Sequence, residues 1–184
     1  MPLSDYNMGR VISLDPGGTT GYTLAYKDGQ HLYIAPCQAE LDHRGILGLL
    51  IETQPNYAIC EDFEYRPGVA RPYIVLVSLE YIGVIKLFCG PGYSISGGHS
   101  ETPLFMQKAM VAIGDKAFYN NEKLKHMGLY KRGVPHGLDS MRHFLRWFFF
   151  AYGSQCNGPH KILAGENSDF VHLVEEEWIR EAYF

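Results

Sequence analysis

Apolar residues near the amino terminus fall in short runs rather than at helical spacing. Val11-Ile12-Ser13-Leu14 reads as a buried strand over residues 10–14, and residues 22–26 and 32–35 follow as two more. Lys27-Asp28-Gly29-Gln30 supplies the turn between the last two, so the three strands form an antiparallel meander. The pattern then changes period. Ile46, Leu47, Leu49, Leu50 and Ile51 fill a helix-length window over residues 41–52 that ends before Pro55, and residues 57–60 return to an apolar strand. A strand, crossover helix, strand order predicts a parallel pairing.

Residues 73–88 are long and apolar enough for a helix that starts just after Pro72 and stops at Gly90-Pro91-Gly92. Residues 93–95 read as a short strand. Thr102-Pro103 has the form of an N-cap followed by proline at the first helical position, which predicts a helix to about residue 113. Residues 114–135 are polar, basic and irregular, and residues 138–152 form a strongly aromatic helix. A last amphipathic helix, capped by Ser168, is expected over residues 168–183 with Phe170, Leu173, Val174, Trp178 and Ala182 on its packing face. The fold class is therefore α/β, with a mixed five-stranded sheet, three antiparallel strands then parallel ones, flanked by helices.

With 184 residues, 46% of them hydrophobic, the chain suffices for one domain with a proper core. We expect that domain over residues 1–152, with residues 153–184 as an acidic, helical extension packed on it. No apolar stretch of membrane-spanning length and no secretory signal is visible, which predicts a cytoplasmic protein with no membrane partner. The four cysteines, Cys37, Cys60, Cys89 and Cys156, form no Cys-x-x-Cys pair, so reduced thiols are expected rather than a zinc site.

The net charge of −4 argues against a polyanionic partner only on average. Residues 104–146 hold eight Lys or Arg against three acids, whereas residues 147–184 hold two against six. A basic stretch beside clustered carboxylates is what an enzyme acting on a polyanion needs, and it is also an ordinary solvated face.

Those carboxylates are recognisable by context. Asp15 ends the first strand and is followed by Gly17, Gly18 and Gly21, which leave little side-chain bulk beside it, so that a phosphate can approach. The same Asp-Pro-Gly-Gly residues also read as turn chemistry between two hairpin strands. Glu61 ends the strand at residues 57–60; Asp62 points to the other face and is held in reserve as the second ligand. His136 and Asp139, at i and i+3, share a face if a helix begins at Pro135 or His136. Asp15, Glu61, His136 and Asp139 together suit hard divalent cations, the usual parts of two-metal phosphodiester hydrolysis.

In this order the motifs resemble the RuvC-type Holliday junction resolvases of the ribonuclease H-like superfamily, in a bacteriophage version. The matching stretches are Ile12-Ser13-Leu14-Asp15-Pro16-Gly17 with Thr20-Gly21-Tyr22, Ala58-Ile59-Cys60-Glu61-Asp62-Phe63, the helix around Ser78 to Ile85, Thr102-Pro103 through Lys108, Gly114 and Lys116, and His136-Gly137-Leu138-Asp139-Ser140. The resemblance covers residues 10–152. It implies a homodimeric endonuclease that resolves branched DNA, with Asp15, Glu61, His136 and Asp139 holding two Mg²⁺ ions, replaceable by Mn²⁺. It also implies that Lys108 and Lys116 contact the DNA backbone, and that Tyr65, Arg66 and Arg71 lie in a loop that probes the branch point. Three other readings stay open: a general branched-DNA or flap endonuclease, a non-catalytic DNA-binding protein of the same fold, and an actin-like or sugar-kinase-like phosphate-binding domain. The last requires a second copy of the domain, and none is visible.

Overall fold

The computed structural model describes residues 8–29, 31–63, 72–90, 94–95, 98–99, 102–108, 119–152 and 171–183. Strands β1 (Arg10–Asp15), β2 (Thr20–Asp28) and β3 (His31–Ala39) form the expected meander. Helix α1 (His43–Thr53) is capped by Asp42, whose carboxylate accepts from the Gly45 amide at 2.7 Å. It ends where Gln54 turns left-handed, at φ 35°, just before Pro55. The chain then enters β4 (Tyr57–Asp62), which runs parallel to β1. Helix α2 (Pro72–Cys89) follows, and β5 (Ser94–Ile95) pairs with β6 (Gly98–His99) in a separate two-stranded ribbon.

Residues 104–108 correct the expected helix. Leu104–Lys108 is strand β7, parallel to β4. The Thr102 hydroxyl, read as an N-cap, instead donates to the Pro55 carbonyl at 3.1 Å, and the Pro103 carbonyl accepts from the Ala58 amide at 3.0 Å. The open edge of β4 offers a ladder of backbone partners, and that long-range pairing overrides a local capping signal.

Two further elements differ from expectation. Helix α3 (Asn121–His126), capped by Asn120, lies within the stretch read as irregular and buries Leu124. In place of one last helix, β8 (Val171–Leu173) adds a sixth strand beside β3 before α5 (Glu176–Tyr183) begins. The expected cap, Ser168, lies outside the described residues. Helix α4 (Pro135–Arg146) starts at Pro135 and widens into a π-helix (Trp147–Tyr152).

The main sheet has the order β7-β4-β1-β2-β3-β8 and separates two cores. On one face Val11, Ala25, Ile34 and Ile59 meet Leu138, Met141, Phe144 and Leu145 of α4. On the other Ile12, Leu14, Leu24, Ala58 and Cys60 meet Ile46 and Leu50 of α1, Ile82 and Ile85 of α2, and Ile179 of α5. The aromatic load of α4 and the π-helix, Phe144, Trp147 and Phe148, is thus buried, whereas Leu76, Leu79 and Leu87 of α2 stay exposed. No helix among the described residues is long and apolar enough to cross a membrane.

The second core also holds groups whose burial makes stability depend on pH. Cys37, Cys60 and Cys89 are free thiols. Burial pushes Cys89 up to about 12 and Cys60 well above its ordinary range, where the nearby charge of Glu61 adds to the effect. Burial also raises Cys37 and Tyr22. Folded thiols stay protonated where unfolded ones ionise, so this contribution to stability is complete below pH about 9 and falls as pH rises beyond it. Urea unfolding followed from pH 7 to pH 10.5 should show a midpoint that declines in the alkaline half, with iodoacetamide labelling of Cys37 and Cys60 much slower than in the unfolded chain. A flat midpoint together with fast labelling would contradict it.

Candidate metal centre

One row of residues across the sheet builds the site. Asp15 faces Gly21 on β2, Gly21 faces Gln38 on β3, and Glu61 faces Gln107 on β7. Parallel pairing of β1 with β4 ends at Leu14 and Cys60, which sets Asp15 beside Glu61 one residue further on. Strand alternation puts this whole row on the face that carries α4, as Val11 and Ile59 on the same strands confirm. Asp62 takes the opposite face, so the sheet pairs Asp15 with Glu61.

Helix α4 crosses directly above that row. The His136 amide donates to Gln38 Oε1 at 3.1 Å, and the Thr23 hydroxyl reaches the Gly137 carbonyl at 3.2 Å and Ser140 Oγ at 2.7 Å. Approach is close enough to require glycine on both sides. A Cβ on Gly21 would stand 2.0 Å from the His136 carbonyl oxygen, and one on Gly137 would stand 2.6 Å from the Cys37 carbonyl oxygen. Gly18 by contrast has open space where a Cβ would go, so packing does not explain it.

This seating brings His136 Nδ1 to 3.5 Å from Asp15 Oδ2. Asp139, one turn on, forms an ion pair with Arg142, which is buried and also donates to the Tyr119 carbonyl at 2.7 Å and Asn121 Oδ1 at 2.6 Å. Glu61 Oε2 meets Nε2 of the fully buried His143 at 3.0 Å. The carboxylates of Asp15, Glu61 and Asp139 retain 19%, 17% and 22% of their side-chain exposure, so each opens to solvent along the lip between sheet and helix.

All four expected ligands therefore lie on facing elements, each carboxylate held by a partner of its own. Among the described residues no three His, Cys, Asp or Glu side chains close on a single point. The donor set, three carboxylates and one imidazole, fits a hard divalent cation in its chemistry. Negative charge is concentrated here, since Glu61, Asp15 and Asp62 all help to keep the Cys60 thiol protonated.

The other expected site residues divide into two groups. Tyr65, Arg66, Arg71 and Lys116 lie outside the described residues. Lys108 is exposed at the end of β7, where it pairs in register with Asp62 and so leaves the sheet on the face away from Gln107. Reading the sequence missed His143, Gln107 and Arg142. His143 had a signal: with His136 and Asp139 it completes an i, i+3, i+7 series on one helical face.

No family model matches the chain, and no curated protein matches it. Solved structures do. A structure described as Thermus thermophilus RuvC in complex with Holliday junction substrate is similar with a TM-score of 0.54 and 15% identity, over 79% of this chain and 96% of that one. A second structure of Thermus thermophilus RuvC is similar with a TM-score of 0.52 and 18% identity, over the same 79% and 96%. At such identity the likeness shows the fold: this six-stranded mixed sheet flanked by helices is of the ribonuclease H-like kind that RuvC has.

Proposed function

We propose that this protein is a divalent-metal-dependent endonuclease that resolves four-way DNA junctions. The observation that carries the reading is the juxtaposition of Asp15 and Glu61, at the ends of neighbouring parallel strands, with His136 and Asp139 one turn apart at the start of a helix lying across them. Resemblance of the fold to RuvC supports the choice of substrate.

Asp15, Glu61, His136 and Asp139 would hold two Mg²⁺ ions, with Mn²⁺ as a substitute. When bound, the ions would supply water activation and charge neutralisation at the leaving oxygen. The chain's own residues do the positioning. Asp15 and Glu61 fix two oxygen donors on a rigid sheet, and Arg142 holds Asp139 from behind while its other donors anchor it to Tyr119 and Asn121. In-line attack by water on the phosphodiester then leaves 5′-phosphate and 3′-hydroxyl ends. Lys108 and Lys116, with Tyr65, Arg66 and Arg71, are proposed to contact the DNA.

Cleavage of a labelled four-way junction, beside fork, flap and linear duplex, with Mg²⁺ and with EDTA, tests the reading. Paired symmetric nicks that require the metal are expected. Preference for forks or flaps would keep the nuclease and change its substrate, and metal-independent binding without cutting would overturn the enzyme reading.

Symmetric nicking needs two copies, and α2 offers the surface. Leu76, Leu79 and Leu87 are exposed to 55%, 40% and 65%, and Gly83, between Leu79 and Leu87, has no atom within 4 Å of where its Cβ would lie. Leu79→Glu should shift the protein from dimer to monomer in light scattering with little change in melting temperature, and should turn paired nicks into single ones. A protein that is already monomeric, or a variant that stays dimeric, would rule out this interface.

A further inference from the structure

Glu61 is held by a relay that the sequence motifs do not contain. Its Oε2 lies 3.0 Å from His143 Nε2, and His143 Nδ1 lies 3.1 Å from Gln107 Oε1. The Gln107 amide nitrogen in turn donates to the His143 backbone carbonyl at 3.2 Å. That last bond leaves Oε1 as the acceptor of the Gln107 amide, so Nδ1 of the ring donates to it. Both ring nitrogens of His143 are thus engaged, Nδ1 by Gln107 and Nε2 by Glu61.

Three elements meet in this chain of contacts. Gln107 is the cross-strand partner of Glu61 on β7, and His143 is one turn beyond Asp139 on α4. The relay therefore does two things. It engages Oε2 of Glu61, and it ties the helix that carries His136 and Asp139 to the strand that carries Glu61. His143 is fully buried, so its ring makes these bonds inside the core.

We propose that His143 and Gln107 are positioning residues for cation binding: they orient the Glu61 carboxylate and set the spacing between its strand and α4. The proposal rests on the reading of Asp15, Glu61, His136 and Asp139 as a metal centre, and groups behind metal ligands commonly change affinity or activity by roughly 10- to 100-fold.

The test uses Mn²⁺ as the probe. Its binding to the full chain is followed by the paramagnetic resonance of the free ion, beside the Mn²⁺ concentration that half-saturates junction cleavage, the junction affinity in EDTA, and the melting temperature. Gln107→Leu keeps the volume of a half-buried side chain and removes the amide; His143→Ala removes the ring; His143→Gln retains an amide able to reach Glu61. Both removals should weaken Mn²⁺ binding roughly 10- to 100-fold, with junction affinity unchanged and with partial recovery in His143→Gln. If His143→Ala fails to fold, Gln107→Leu carries the same expectation. Glu61→Gln separates the two levels of failure. If Glu61→Gln loses Mn²⁺ while the folded relay variants bind it like wild type, the relay is structural only and the metal centre stands. If wild type and Glu61→Gln do not differ in Mn²⁺ binding or in cleavage, the metal centre itself is wrong and the relay's role falls with it.

Discussion

Asp15→Asn is expected to abolish junction cleavage, by at least about 10³-fold, while leaving junction binding near its wild-type level. Asparagine keeps the shape of the side chain and one carbonyl oxygen, so β1 and its pairing with Gly21 are undisturbed. It removes one negative charge from a lip that Glu61 and Asp139 already make acidic, so the variant should melt no lower than wild type. Lost activity would then report chemistry rather than unfolding. Asp62→Asn is the matched control: it is adjacent in sequence to Glu61, yet it faces the side of the sheet away from α4, and it should retain most of the activity. Equal losses in both variants would mean that general negative charge matters, not the Asp15 position. More than a tenth of wild-type cleavage in Asp15→Asn would remove Asp15 from the centre of the reaction.

What could be read from the sequence is what local chemistry and period decide. The meander, the crossover helix and β4 follow from short apolar runs and one helical window, and each sits where the pattern places it within a few residues. Asp15 and Glu61 stand out as candidates because a carboxylate at the end of a buried strand breaks the apolar pattern, and His136 and Asp139 because their spacing fits one turn of helix. Glu61 was preferred to Asp62 on the expectation that only one of two successive strand residues can share a face with Asp15, and the register of β1 against β4 puts Glu61 there.

The misreadings lie where a distant partner outweighs a local preference. Leu104-Phe105-Met106 suits either a helix or a strand, and Thr102-Pro103 tips the local choice to helix; the bare edge of β4 reverses it. Val171-His172-Leu173 is likewise drawn into a strand by the other free edge, at β3. Gln107 and Arg142 were not recognised because their roles depend on partners far away in the sequence, His143 for the one and Tyr119 and Asn121 for the other, whereas His143 left a trace only in its spacing from His136 and Asp139. Gly21 was read as room for a phosphate. The structure gives it another duty, contact with the His136 carbonyl.

That contact yields the largest expected effect on stability. In Gly21→Ala the new methyl would stand 2.0 Å from the carbonyl oxygen and 2.2 Å from the carbonyl carbon of His136, both backbone atoms at the start of α4. A side chain could rotate away; a helix start held by Thr23 and Gln38 cannot without giving up those bonds. Overpacking of this kind costs about 3 kcal/mol, which for a chain of this size lowers the melting temperature by roughly 6 to 12 °C. Cleavage should fall as well, on the order of 10²-fold, because α4 must retreat from the sheet and carry His136 and Asp139 away from Asp15 and Glu61. Gly137→Ala sets two terms against each other. Alanine gains about 1 kcal/mol of helix propensity, but its methyl would lie 2.6 Å from the Cys37 carbonyl oxygen and 2.8 Å from the Cys37 nitrogen, again backbone, so the clash wins and the variant is destabilised. Gly18→Ala, with no atom within 4 Å of its methyl, should melt like wild type. Melting of Gly21→Ala within a degree of Gly18→Ala would show that α4 does not seat on β2 as described, and the alignment of the four proposed ligands would have to be abandoned with it.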